Sequence, residues 1–125
     1  MAEATKILVV EDDMIIQMFI QRTLAEGGYS IIGEARSGEE ALALTIEHNP
    51  ALILMDIGIV GGYDGIEAAR RILTSHDVKI VFMTGNSDAA TIARAKQVSD
   101  NPFIFKPIDE VHLLQRVADL LKDQL

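Results

Sequence analysis

Acidic side chains crowd the end of the first apolar segment of the chain. Glu11, Asp12 and Asp13 follow directly after KILVV (6–10). Neighbouring carboxylates repel one another and are costly to desolvate, so they need a cation, a helix terminus or open solvent. Hard oxygen ligands suit Mg²⁺, which binds one or two protein carboxylates and keeps several of its waters. The stretch therefore predicts either a metal site or an acidic helix start.

Three further polar residues each follow an apolar segment of strand length: Asp56 after ALILM, Thr84 after KIVFM and Lys106 after FIF. A carboxylate beside Mg²⁺ can attack phosphorus and form an aspartyl phosphate. An ammonium can neutralise one phosphoryl oxygen, and a hydroxyl can donate a hydrogen bond to another. If the apolar segments are strands of one sheet, these residues predict phosphoryl-transfer chemistry.

Five apolar segments have the length of strands, and three of them lack the alternation of a strand with one wet face. Buried strands of a parallel sheet have this pattern. The segments are KILVV (6–10), SIIGEA (30–35), ALILM (51–55), KIVFM (79–83) and FIF (103–105).

Amphipathic stretches of helix length separate these segments. We expect Asp13 to cap the first helix, and the capping-box spacings of Ser37 with Glu40 and Asp64 with Glu67 mark later starts; Asp109 can cap the last helix. Residues 88–98 carry a thin apolar stripe, so that helix should be the least firmly docked. The predicted buried stripes are Ile16, Ile20 and Leu24; Ile66, Ala69 and Leu73; and Val111, Leu114, Ala118 and Leu121. Met14, Met18 and Met55 are expected to pack inside.

Strands that alternate with helices predict a three-layer, doubly wound (βα)5 fold with a five-stranded parallel sheet. In such sheets the ligand crevice opens at the carboxyl ends of the strands. The polar residues named above would therefore share one edge of the sheet. With 125 residues, the chain has material for one core, and we expect a single domain over 1–125.

Composition excludes several classes of protein. The chain has no cysteine, so disulfides and thiolate metal sites are impossible. Its N-terminus lacks the apolar core of a signal peptide, and no apolar run reaches the roughly 18 residues of a membrane span, so we expect a cytoplasmic protein. The net charge of −8 disfavours direct binding to nucleic acid.

The sequence resembles the receiver domains of two-component response regulators. The resemblance covers nearly the whole chain through VVEDD, LILMDI, DGIEAA, the Thr84-Gly85 pair and FKP. It implies a flavodoxin-like fold with strand order 2-1-3-4-5. It also implies a phosphorelay domain that receives a phosphoryl group from a sensor histidine kinase or phosphotransfer protein. Such a domain catalyses its own phosphorylation and slow dephosphorylation and is otherwise not an enzyme.

The resemblance also implies roles for individual residues. Asp56 would be the phosphoacceptor, with Thr84 and Lys106 binding the phosphoryl group. The cofactor would be Mg²⁺ or Mn²⁺, with Asp12 and Asp56 as direct ligands.

Further roles follow from the same resemblance. The Gly58 carbonyl would be another metal ligand, and Glu11 would act through water. Thr84 and Phe103 would form the switch, and Gly58 and Asn86 would set the lifetime of the phosphoryl group. Lys106-Pro107 would be a cis peptide.

Two further features concern the acceptor loop and the output. The loop DIGIVGGYDG after the acceptor strand carries Ile59-Val60, where the family commonly has Met-Pro, and three glycines before Tyr63. A downstream protein partner would bind the face formed by the fourth helix, the fifth strand and the fifth helix.

Other functions fit parts of the pattern. A degenerate receiver could serve only for protein interaction, but the acids, Thr84 and Lys106 argue against this reading. A haloacid dehalogenase-type phosphatase also uses an aspartyl phosphate, yet it needs a D-x-D element that EDD does not match. A flavin-binding protein would need a hydroxyl-rich phosphate loop where this chain has acids.

Overall fold

The computed structural model describes residues 4–85 and 88–122. Within them the strands are β1 (Lys6–Val10), β2 (Ser30–Ala35), β3 (Leu52–Asp56), β4 (Lys79–Thr84) and β5 (Ile104–Phe105). All pair in parallel in a single sheet of order β2-β1-β3-β4-β5. The predicted α/β architecture and strand order are confirmed.

A helix follows each strand, as right-handed crossovers between parallel strands require. The helices are α1 (Met14–Glu26), α2 (Gly38–His48), α3 (Gly65–Leu73), α4 (Ala89–Val98) and α5 (Glu110–Leu121). None of the helices in the described part of the chain is long and apolar enough to cross a membrane.

The sheet separates two apolar clusters, because successive strand side chains point to opposite faces. Leu8 and Val10 of β1 point toward α2, α3 and α4, where they pack with residues such as Ile66. Ile7 and Val9 point toward α1 and α5. Burying one such side chain stabilises the fold by about 1.5–3 kcal/mol, so the two clusters hold the helix layers against the sheet.

The predicted caps are confirmed by hydrogen bonds to the first turns of the helices. Asp13 accepts from the amides of Ile15 at 2.9 Å and Ile16 at 3.1 Å. The other predicted caps make the same kind of contact, with Ser37 accepting from Glu40, Asp64 from Glu67, and Asp109 from His112. Asp13 is thus occupied as a cap, which leaves its two acidic neighbours for the sheet edge.

The buried face of α5 is rotated by part of a turn from the predicted one, so that prediction is wrong. Val111 is 68 % exposed, and Leu113 and Val117 are buried instead. Both stripes have helical spacing and share Leu121, so the local pattern did not choose between them. Packing against α1 and the sheet makes the choice.

The interior of α1 also differs from the prediction. Ile20 and Leu24 are buried as expected, but Ile16 is only half-buried and Gln17 takes a buried position. Met14 and Met18 are 52 % and 62 % exposed, so the expectation that they pack inside is wrong.

The other boundaries shift little, with β5 the shortest strand. It contains Ile104 and Phe105, while Phe103 precedes it and is buried at 7 % exposure. Only Ala95 of α4 is buried, which agrees with the weak docking expected for residues 88–98.

The loop between β3 and α3 is anchored on α2. Val60 forms a bridge with Ser37, and the Gly62 amide donates to Glu39 Oε2 at 3.2 Å. Gly61 has φ 126°, a left-handed conformation that L side chains rarely adopt. The positive φ accounts for glycine at position 61.

Candidate functional site

The carboxyl ends of β1 and β3 bring the predicted acids together. Val10 pairs with Met55 in register, so Glu11 and Asp56 follow at the same level of the sheet. One carboxylate oxygen from each of Glu11, Asp12 and Asp56 lies within 4.8 Å of the others. The sheet register thus assembles an acidic cluster from residues 45 positions apart in sequence.

Each polar group of Glu11 contacts another polar group of the protein. Its amide donates to Ala35 O at 3.0 Å, and its carbonyl accepts from Gln17 Nε2 at 3.2 Å. Its Oε2 accepts from the Asp13 amide at 3.1 Å, and Lys106 Nζ lies 2.7 Å from its Oε1. Glu11 is 1 % exposed, so these contacts take the place of water.

Lys106 links this cluster to Asp56, since its Nζ also lies 3.4 Å from Asp56 Oδ1. Burial alone would lower the pKa of the Lys106 ammonium, but the close contact with Glu11 and the charges of Asp56 and Glu11 leave that pKa raised. Burial raises the pKa of Glu11, and the contacts with Lys106 and the Asp13 amide offset this only in part. The raised pKa of Lys106 keeps its ammonium charged beside the two acids.

The donor set fits a divalent cation with hard oxygen ligands. Glu11 Oε1 is buried and makes no hydrogen bond of good geometry among the described residues, so its contact with Lys106 is an ion pair. A water carried by a metal could donate to this oxygen. Asp12 is half-buried and Asp56 buried, so the cluster lies at the rim of the sheet where an ion can enter.

Asp56 faces a cleft shared with Thr84. Asp56 is 6 % and Thr84 4 % exposed, and both line the cleft. Gly58 also lines it, and its amide donates to Asp56 Oδ1 at 3.3 Å. Asp88 and Thr91 close the other side, so the first turn of α4 borders the candidate acceptor.

The remaining predicted residues fall near this cleft or outside the described chain. The Lys106-Pro107 peptide is cis, as expected. The Phe103 ring lies 6.1 Å from the Phe82 ring in an edge-on contact and 6.1 Å from Phe105. Asn86 lies outside the described residues, and the metal role of the Gly58 carbonyl stays a prediction.

Gln17 is a site neighbour that the sequence reasoning missed. The buried stripe was expected to start at Ile16, whereas Gln17 takes the buried position, and its amide reaches the carbonyls that end β1 and β2. The signal available in the sequence was a polar residue in the first helix, about one turn after the acids that follow β1.

The chain matches the sequence model of a protein family. The model of the response regulator receiver domain matches residues 7–118. The chain belongs to the response regulator receiver domain family. It is thus a receiver domain of two-component phosphorelay signalling, and receiver domains interact with histidine kinases and with downstream partners. The family assignment sets aside the dehalogenase-type and flavin-binding alternatives.

Relatives of this receiver domain include full regulators and small proteins. The transcriptional regulatory protein PdtaR of Mycobacterium tuberculosis is 33% identical over 112 residues, which is 90% of this chain and 54% of PdtaR. The chain therefore spans about half the length of that relative. Protein CcdB of Bacillus subtilis is 33% identical over 118 residues, covering 94% of this chain and 98% of CcdB.

Solved structures agree with the receiver fold. The signal receiver domain of a modulated diguanylate cyclase from Desulfovibrio desulfuricans G20 matches with a TM-score of 0.87 and 29% identity, over 97% of this chain and 96% of that one.

Proposed function

We propose that Asp56 accepts a phosphoryl group from a phosphohistidine of a sensor histidine kinase or phosphotransfer protein. The observation that carries this proposal is the position of Asp56, which contacts the Lys106 ammonium, belongs to the acidic cluster and lines the cleft with Thr84. We also propose that residues 1–125 form a single receiver domain, since both apolar clusters pack on one sheet.

The transfer uses groups already in place. An oxygen of the Asp56 carboxylate attacks phosphorus, the P–N bond of the phosphohistidine breaks, and the imidazole leaves with the bonding electron pair and takes a proton from solvent. Lys106 neutralises a phosphoryl oxygen, and the Thr84 hydroxyl donates to another. The chain thereby catalyses its own phosphorylation through electrostatic stabilisation.

Mg²⁺, or Mn²⁺ in its place, is the proposed cofactor. Asp12, Asp56 and the Gly58 carbonyl would hold it, with Glu11 acting through water. The ion, when bound, supplies positive charge to the transferring group. The 2.7 Å contact between Glu11 Oε1 and Lys106 Nζ keeps Lys106 beside Asp56.

Mass spectrometry tests the acceptor. Acetyl phosphate with Mg²⁺ should add one phosphoryl group to the intact protein, and EDTA should prevent it. The matched control is Asp109→Asn, because Asp109 is a helix cap outside the acidic cluster. Asp109→Asn should be modified like the wild type, and Asp56→Asn should not. Equal modification of Asp56→Asn would contradict the assignment, and no modification of the wild type would favour the degenerate-receiver alternative.

We propose that the phosphodonor protein covers the exposed apolar start of α1. Ile15 is 80 % and Met18 62 % exposed, and both line an open apolar groove with Phe19 and Ile31. This groove begins three residues after Asp12, so a donor seated on it is beside the acids.

Phosphotransfer kinetics test the docking surface. Ile15→Ser with Met18→Ser should slow transfer from a phosphodonor protein and leave the rate with acetyl phosphate unchanged. Ile46→Ser is the control, since Ile46 is 63 % exposed on α2. Equal transfer rates in all three proteins would contradict the proposal.

We propose that the downstream partner binds the face of α4, β5 and α5. Phe105 and Val111 are 64 % and 68 % exposed there, which leaves apolar surface for a partner. The proposed switch acts through Thr84 and the Phe103 ring, which packs against Phe82.

Amide NMR with beryllofluoride, a phosphoryl mimic, tests the output route. Changes in amide chemical shift should extend from Asp56 through Phe103 to α4, because the first turn of α4 borders the acceptor cleft. Changes that stay within the cleft while partner binding still responds would contradict the Thr84–Phe103 route.

A further inference from the structure

Gln17 is buried at 1 % exposure on the face of α1 that meets the sheet. Its Nε2 lies 2.9 Å from Ala35 O, 3.2 Å from Val9 O and 3.2 Å from Glu11 O. One amide group therefore joins the carboxyl ends of β1 and β2. A buried glutamine costs stability unless its polar atoms are satisfied, and here they are.

The orientation of this amide is set by a neighbour. Gln21 Nε2 donates to Gln17 Oε1 at 3.0 Å, one turn along α1. Because Oε1 is engaged there, Nε2 is the end that faces the strand carbonyls.

The carbonyl of Glu11 belongs to the peptide that joins the two neighbouring acids. It lies just past the end of β1, and Gln17 donates to it. The plane of this peptide decides the directions in which the Glu11 and Asp12 side chains leave the backbone. The Glu11 amide on the other side is tied to Ala35 O, which also accepts from Gln17.

We propose that Gln17 is a positioning residue for the acidic site, holding the Glu11–Asp12 peptide so that both carboxylates face the metal position. This inference rests on the proposed function, because it concerns the metal that phosphoryl transfer uses. Gln17 does not touch the phosphoryl group or the metal. It acts through the peptide, as outer partners of metal ligands do.

The test compares Gln17→Met, which keeps the length of the side chain and removes the donors, with Thr45→Val. Thr45 is a buried polar residue on α2 whose hydroxyl donates to its own helix at Ala41 O, so its loss lowers stability without touching the acids. Mg²⁺ is titrated into each protein while amide shifts are followed by NMR. Loss of an outer partner typically weakens metal affinity by about 10- to 100-fold, and we expect at least about tenfold for Gln17→Met.

A metal-free readout separates positioning from stability. In EDTA, the amides of Glu11 and Asp13 should exchange with solvent faster in Gln17→Met, because both are bonded within the arrangement that Gln17 holds. In Thr45→Val they should exchange as in the wild type after correction for global stability. Both readouts are independent of phosphorylation, so a failure of Asp56 to accept a phosphoryl group would not alter them.

Gln21→Leu is the second variant, because it removes the contact that orients the Gln17 amide and leaves Gln17 itself in place. We expect a weaker loss of Mg²⁺ affinity in the same direction. If Gln17→Met fails to fold, Gln21→Leu decides the question. A Mg²⁺ affinity within twofold of the wild type in the folded variants, with only the melting temperature lowered, would overturn the proposal and leave Gln17 a purely structural residue.

Discussion

Lys106 lies closer to Glu11 than to the proposed acceptor: its Nζ is 2.7 Å from Glu11 Oε1 and 3.4 Å from Asp56 Oδ1. Of these two acids, the one nearer to Lys106 is therefore Glu11, which is not the proposed acceptor. In the proposed reaction, Glu11 keeps the ammonium near Asp56, where it can contact the phosphoryl group.

Lys106→Met should destabilise the metal-free protein, because it leaves the buried Glu11 carboxylate without its cation. Loss of a charged partner of this kind costs on the order of 1–3 kcal/mol. Urea unfolding in EDTA measures the change. Glu11→Gln combined with Lys106→Met should recover part of the loss, and a double-mutant cycle with zero coupling would contradict the pairing.

Asp12→Asn should abolish Mg²⁺-dependent phosphorylation but raise the stability of the metal-free protein. With no cation bound, Glu11, Asp12 and Asp56 repel one another, and relief of that repulsion is worth on the order of 1 kcal/mol. Thermal melts in EDTA and in Mg²⁺ provide the measurement. A variant that melts well below the wild type in EDTA would show that repulsion is not the dominant effect.

Gly58→Met should slow hydrolysis of the aspartyl phosphate, because a long side chain beside the acceptor would obstruct the attacking water. A Cβ at Gly58 meets no atom within 4 Å, so the variant should fold normally. The decay of the phosphorylated protein, followed by mass spectrometry, is the measurement. Unchanged decay with normal phosphorylation would remove Gly58 from this role.

Unlike Gly58→Met, Gly65→Ala should destabilise the fold. A Cβ at Gly65 would lie 2.1 Å from the backbone oxygen of Asp56, so α3 or the acceptor strand must move. We expect a loss of about 1–3 kcal/mol in urea unfolding, as overpacking of a close contact gives. Wild-type stability would show that the loop relaxes without strain.

Arg94→Gln should make the active state easier to reach. Arg94 of α4 donates to both carboxylate oxygens of Asp64, at 3.0 and 2.8 Å, and Ala95 is the single buried residue of α4. An exposed pair contributes up to about 1 kcal/mol, so half-saturation by beryllofluoride should fall by up to about fivefold. Arg70→Gln, which alters a pair within α3, is the control. An unchanged or higher half-saturation would mean that this pair does not restrain α4.

Glu67 predicts a dependence of stability on pH. Hydrogen bonds from Arg70 and Arg71 lower the pKa of Glu67 to about 2. A lowered pKa in the folded state contributes stability above the unfolded value, here 4.5, and the contribution is lost as pH falls toward about 2. Glu67→Gln should therefore be less stable than the wild type at pH 7 and equal to it near pH 2. A stability difference between Glu67→Gln and the wild type that does not change with pH would contradict the assignment.

The sequence by itself determined the elements, their order and the residues at the strand ends. Apolar runs and helix caps are local signals, and parallel strands place their carboxyl ends at one edge whatever their loops do. Glu11, Asp56 and Lys106 could therefore be grouped before any coordinates were known. Their identities also carried the resemblance to the receiver family.

Only the tertiary structure decided which side of a helix is buried and which polar groups meet. The stripe ending at Leu121 could run through Val111 or through Leu113, and contacts with α1 and the sheet selected Leu113. Likewise, the burial of Gln17 depends on carbonyls from two strands that come together only in the folded sheet. Periodicity is a property of one segment, whereas burial and hydrogen-bond partners depend on distant segments, so the sequence pattern alone could not determine them.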